Sequence, residues 1–175
     1  PSLAGHAIAH AVSRAGIEGA EVDDVIMGAA LQQGVQAPNI GRLAALGAGL
    51  PVTVAGQSVD RQCASGLMAI SMAAKQVMVD NMDVVIAGGV ESISMVQTPA
   101  MRVDPDKALL AKHKDTYISM IDTANIVAKR YGVSRDAQDE YGLQSQQRTH
   151  AAQQAGKFDD EIVPLPSTMI MKNKE

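Results

Sequence analysis

Asp83-Val84-Val85-Ile86-Ala87-Gly88-Gly89 is an apolar run without polar alternation. A strand with one wet face alternates apolar and polar residues, so an unbroken run predicts a parallel strand covered on both faces. Just upstream, residues 64–80 place Leu67, Met68, Ala69, Ile70, Met72, Ala73, Ala74, Val77 and Met78 around most of a helical circumference. A helix that is apolar nearly all round is predicted to be buried. Further back, residues 52–60 read as extended. Pro51 stops a helix that Asn39 is placed to cap and that runs through Arg42, Leu43 and Leu46. Asp23 to Gly28 gives a short strand signal. Leu3, Ala7, Ile8, Ala11, Val12 and Ala15 recur at helical spacing ahead of a capping Gly16. Helix, strand, helix, strand, helix, strand predicts an α/β fold built on a layered parallel sheet.

Beyond Gln97 the chain becomes more polar. Residues 98–118 hold Pro99 and Pro105 and read as loop, with a short helix near 106–112. Residues 121–131 read as a helix ended by Gly132. Ser134 is placed to cap a long polar helix over 135–155, and Asp136, Asp139 and Glu140 in its early turns suit the helix dipole. Ile162-Val163-Pro164-Leu165 is a weak extended segment. The expected division is 1–97 for the sheet-bearing part and 98–175 for the helical part.

Composition narrows the function classes. Apolar residues are 46% of the 175, enough to build a core. Aromatics are 2% and the net charge is −4, which argues against stacking platforms or a basic face for nucleic acid. No apolar run reaches the roughly 18 residues of a membrane-spanning helix. Cys63 is the one cysteine, which excludes an intramolecular disulfide and a multi-cysteine zinc site, and suits a reducing compartment, read here as cytoplasmic. His6 and His10 have metal-ligand spacing on one helix, yet no third ligand is in reach by sequence, so no metal is expected.

The chemistry-bearing stretch is Val59-Asp60-Arg61-Gln62-Cys63-Ala64-Ser65-Gly66-Leu67-Met68-Ala69-Ile70. It sets a cysteine at the junction of a strand and a helix. Free N–H groups and the positive end of the dipole then face the sulfur, which favours the thiolate and a developing oxyanion. From the residues alone, a buried structural cysteine is the competing reading, because no base is identified.

This stretch resembles the acyl-cysteine motif of the thiolases, approximately V-N-R-x-C-x-S-G-L-x-A-I. Val84-Val85-Ile86-Ala87-Gly88-Gly89-Val90-Glu91-Ser92-Ile93-Ser94-Met95 is similar to the family's V-A-G-G-M-E-S-M-S segment. Gln33, Gly34, Asn39, Arg42, Ala44, Ala45, Leu46, Gly49, Leu50 and Pro51 follow its Q-x-G to G-L-P stretch. Ser134-Arg135-Asp136 through Gln138-Asp139-Glu140, and Ser145-Gln146-Gln147, resemble its S-R-E-x-Q-D to S-Q segment. Gly156-Lys157-Phe158-Asp159 and Glu161-Ile162-Val163-Pro164 continue the match in order.

The resemblance implies a thiolase-like fold, layered α-β-α-β-α when complete, of which this chain is an incomplete N-terminal half plus the start of a helical loop domain. It implies an acyl-CoA acyltransferase of fatty-acid or ketone metabolism, β-oxidation included. In that chemistry Cys63 attacks the keto carbon of a 3-ketoacyl-CoA and carries the acyl group as a thioester. Met120 falls where some members line the acyl pocket; ordinary core packing is its other reading. Coenzyme A enters as substrate, with no separate cofactor, and a homodimer or homotetramer is implied for the complete protein.

The family's G-H-P histidine, second cysteine in C-x-G-G and N-E-A-F segment do not occur in these 175 residues, nor does its opening strand with R-T-P-x-G. The isolated chain is therefore expected to stop short of turnover, and its sheet, lacking an inner strand, to expose unpaired edges. Asp60 stands where Asn is usual and adds a negative charge near the motif. Gly142 replaces an Ala, at a cost of about 1 kcal/mol inside a helix. Two other readings stay open at this point: a non-catalytic fragment serving assembly, and a β-ketoacyl synthase, whose cysteine motif normally lacks the G-L-x-A-I continuation.

Overall fold

The computed structural model describes residues 1–101 and 104–169. They fall into two compact units, one within Pro1–Arg102 and Val163–Glu175, the other within Val103–Ile162.

In the first unit the elements run α1 (Ser2–Ala15), β1 (Asp24–Gly28), α2 (Ile40–Gly47), β2 (Ala55–Val59), α3 (Ser65–Val79), β3 (Val85–Gly89) and α4 (Ile93–Val96). The three strands are parallel in the order β2-β1-β3. From β1 the chain steps to one side through α2, then back past β1 through α3. A crossover of constant hand lays its helix on the opposite face when the direction of travel reverses. Accordingly Val25 and Met27 of β1 join a core with Ala4 and Ile8 of α1 and Ile40, Ala44 and Ala45 of α2. Ile26, pointing the other way, packs with Ala69 and Ala73 of α3.

The continuous apolar run does form a strand, but its place differs from the expectation. β1 is the central strand and is buried at every position, whereas β3 lies at an edge, its first four residues half-buried and Gly89 exposed. Strand order depends on which crossover goes which way, and that is not written in either segment. The expected break inside the sheet is also absent. β1 pairs directly with β3, Asp24 opposite Val85 through Gly28 opposite Gly89. Along this ladder the backbone groups of β1 and β3 satisfy one another, and in this sheet the unpaired edges are the outer ones of β2 and β3.

α3 also departs from expectation. It buries only Ser65, Ala69 and Ala73, while Leu67, Ile70 and Met78 are 71, 54 and 80% exposed. Among the described residues α3 packs chiefly on the sheet, so one face is covered. Ile162–Leu165 forms no strand. Pro164 has no N–H to give a ladder, and its carbonyl instead accepts a hydrogen bond from His6 Nε2 at 3.0 Å.

Asn39 joins three pieces. Its Oδ1 accepts from Arg42 N at 3.1 Å, capping α2, and from Ser58 Oγ at 2.9 Å, while its Nδ2 donates to Gly56 O at 2.9 Å. Asn39→Ala is expected to lower stability by about 2–3 kcal/mol, since a cap is lost and a sheet carbonyl is left unpaired. Asn39→Asp keeps the cap but turns a carboxylate oxygen toward Gly56 O, acceptor against acceptor, so it is expected to recover at most the capping part, about 1 kcal/mol; urea unfolding midpoints compare the two.

The second unit holds α5 (Lys107–Lys112), α6 (Met120–Tyr131) and α7 (Arg135–Gln154). The side chains of Asp106, Ser119 and Ser134 cap these helices by accepting from Leu109 N, Asp122 N and Ala137 N. Gly132 ends α6 at φ +67°. Arg135 donates to Asp139 at 2.9 Å across one turn and holds that carboxyl below its usual range. Both side chains are solvated, so the pair adds little stability.

Candidate active site

All three parallel strands end on the same side, and chain direction reverses about β1. In open α/β sheets such a switch point at the carboxyl ends of the strands leaves a crevice. Here it is a cleft of about 450 Å³. Residues following each strand line it: Ala29 and Ala30 after β1, Gln62 and Cys63 after β2, and Val90 and Glu91 after β3.

Cys63 is exposed and lies two residues ahead of α3. Its turn is fixed locally. Ser65, 4% exposed, accepts from Arg61 N at 2.9 Å and donates to Gln62 O at 2.6 Å. Asp60 Oδ1 accepts from Gln62 N at 2.8 Å and from Gln62 Nε2 at 3.4 Å. The carboxylate anticipated as a charge near the sulfur is thus engaged inside the turn. Gln62 has φ +49°, a left-handed conformation that is uncommon for a residue with a side chain. Local strain of this kind persists where the surroundings over-determine it, and here it presents the next residue, Cys63, to the cleft.

Glycines set how close the walls come. A Cβ on Gly28 would lie 2.3 Å from the carbonyl carbon of Ser65 and 2.5 Å from Gly66 N. One on Gly89 would come within 3.3 Å of Gly66 Cα. The ends of β1 and β3 therefore pack backbone to backbone on the first turn of α3. Of the pair Gly88-Gly89, it is Gly89 that makes this close approach. Gly88 has only ordinary contacts, with the Met27 side chain.

Met120, the other expected site residue, opens α6 in the second unit and is 70% exposed. His10, His113 and His150 are exposed. His6 is bonded to Pro164 and meets the His10 ring edge-on at 4.6 Å. Among the described residues no group of three or more His, Cys, Asp or Glu is placed to hold a metal ion. None of their helices is long and apolar enough to cross a membrane.

Two residues of the cleft region received no role in the sequence reading. Glu91 Oε2 accepts from Ala30 N at 2.8 Å, and its Oε1 accepts from Gln36 Nε2 at 2.6 Å. Gln36 is 2% exposed. For Glu91 a signal existed, an acid directly after an apolar strand; for Gln36, in a polar loop, there was none.

Comparison with known proteins gives a consistent picture. The family described as the thiolase N-terminal domain matches residues 1–174. The chain is 42% identical over 158 residues to a 3-ketoacyl-CoA thiolase of Bacillus subtilis, covering 90% of this chain and 40% of that protein. It is 40% identical over 178 residues to an acetyl-CoA acetyltransferase of Cupriavidus necator, covering 94% and 45%. The crystal structure of the Bacillus anthracis acetyl-CoA acetyltransferase superposes with a TM-score of 0.78 at 35% identity, over 99% of this chain and 46% of the other. The chain thus spans less than half the length of these relatives.

Proposed function

The chain belongs to the thiolase family, and from that premise we propose that it forms the N-terminal part of an acyl-CoA acyltransferase whose acyl carrier is Cys63. The observation that carries the reading is the exposed Cys63, held on a strained turn at the start of α3 and open to a cleft at the strand ends.

In the thiolytic direction Cys63 Sγ, as thiolate, attacks the keto carbon of a 3-ketoacyl-CoA. The bond between the α and keto carbons breaks, its electron pair takes up the proton that the cysteine thiol gave up, acetyl-CoA leaves, and the acyl group stays on sulfur. The thiolate of a free coenzyme A then attacks that thioester and releases the cysteine sulfur, which takes the proton the coenzyme A thiol lost. The reverse sequence is a Claisen condensation. Both attacks build charge on a carbonyl oxygen, which backbone N–H groups at a helix start can stabilise. The same reading makes residues 1–97 the N-terminal domain and 98–175 the start of the loop domain, with Met120 lining the acyl pocket. It assigns the protein to fatty-acid or ketone metabolism, β-oxidation included, with the complete protein a homodimer or homotetramer in the cytoplasm, where a lone thiol stays reduced.

The test is incubation of the whole protein carrying this chain with acetyl-CoA, followed by mass measurement of the Cys63 peptide. An added acetyl group supports the reading; a peptide that stays unmodified while the protein is folded supports a non-catalytic role instead.

A further inference from the structure

The cleft facing Cys63 has two walls that approach from different strands. One is Ala29 to Leu31, following β1, and the other is Val90 to Ser92, following β3. Beyond the strand ends, side chains link them. Glu91 accepts from Ala30 N at 2.8 Å, tying the second wall to the first. Gln36 donates to Leu31 O at 2.6 Å and to Glu91 Oε1 at 2.6 Å, and its Oε1 accepts from Ser92 N. Every polar atom of this buried amide is used, and both carboxylate oxygens of Glu91 accept from neutral donors. The Cys63 turn is held separately, by Ser65 and Asp60.

We propose that Glu91 and Gln36 are positioning residues that fix the separation of the walls opposite Cys63, and so the place of the carbonyl carbon relative to the sulfur. This role rests on the acyl-transfer reading. It has a specific chemical requirement: position 91 must accept twice, and position 36 must donate to one wall while accepting from the other. Glutamine at 91 has one acceptor and one donor, so its NH₂ meets either Ala30 N–H or the Gln36 NH₂. Turning the Gln36 amide over does not help, because its NH₂ would then face Ser92 N–H.

The experiment measures two rates in the whole protein: acylation of Cys63 by acetyl-CoA and its alkylation by iodoacetamide. Glu91→Gln is expected to slow acylation about tenfold or more, in line with the effect of misplacing reacting atoms, and to leave alkylation unchanged. Glu91→Ala removes the clash and the link from Glu91 to Ala30, while Gln36 still joins Leu31 O to Ser92 N. It is expected to slow acylation less than Glu91→Gln does, again with alkylation unchanged. Unchanged acylation in Glu91→Gln, or alkylation that falls in parallel with acylation, overturns the role. If Glu91→Gln melts below the assay temperature, Glu91→Ala decides: slow acylation with normal alkylation supports the role and normal acylation overturns it. A wild-type protein that takes up no acetyl group overturns the acyl-transfer reading and this role together.

Discussion

Gly28→Ala is expected to be the most damaging single methyl in the first unit's active-site region. The new Cβ would sit 2.3 Å from Ser65 C, 2.4 Å from Ser65 O and 2.5 Å from Gly66 N. All three are backbone atoms, so no side chain can rotate away; either β1 or the first turn of α3 has to move. Overpacking typically costs 1–3 kcal/mol, and a backbone obstruction lies at or above the upper end, about 3 kcal/mol. For a chain of this size that is a fall in melting temperature of roughly 6–12 °C. Gly142→Ala is the control. No atom outside its own helix lies within 4 Å of that Cβ, and it replaces a glycine inside α7, so it should stabilise by about 0.5–1 kcal/mol. Melting curves followed by circular dichroism distinguish the two. Equal melting temperatures for Gly28→Ala and wild type would mean that β1 and α3 do not approach as described. A second consequence is functional: Ser65 ties down Arg61 and Gln62, so displacing it shifts the turn that carries Cys63.

Cys63→Ala has the opposite profile. The side chain is exposed and has no packing role to lose, so stability should change by no more than about 0.5 kcal/mol. Thiolysis by the whole protein should fall by about four to six orders of magnitude, the range seen when a covalent nucleophile is removed. The acetyl adduct should vanish. Cys63→Ser keeps the shape but replaces a soft thiolate with a poorly ionised hydroxyl, and is expected to remain close to the alanine variant. An acetylated protein in which Cys63 is Ala would move the acyl carrier elsewhere and end the assignment. Melting and activity thus move separately in these two positions, Gly28 through the backbone and Cys63 through chemistry.

Local signals in the sequence carried far. Asn39, Ser119 and Ser134 cap the helices that follow them, as the first and last had been read, because a cap depends on residues three positions apart. Gly16 and Gly132 take the left-handed conformation that ends α1 and α6. The acyl-cysteine motif was legible for the same reason: a nucleophile, small neighbours and a helix start lie within a few residues of one another. Asp60 was visible as a charge; its bond to Gln62 N is a local Asx turn, two residues on, that the charge alone did not suggest.

The amino-acid order alone determined the α/β alternation, the helix boundaries and Cys63 at a strand–helix junction, since each follows from interactions within one turn or one strand. Only the tertiary structure decided that β1 rather than β3 is central, that β1 closes directly onto β3, and that α3 covers one face. It also decided that Gly28, Gly66 and Gly89 meet and that Gln36 and Glu91 bridge the cleft walls. Those facts join residues up to 61 positions apart in the case of Ala30 and Glu91. Burial and pairing between distant segments depend on which surfaces the whole chain brings together, and neither segment records its partner.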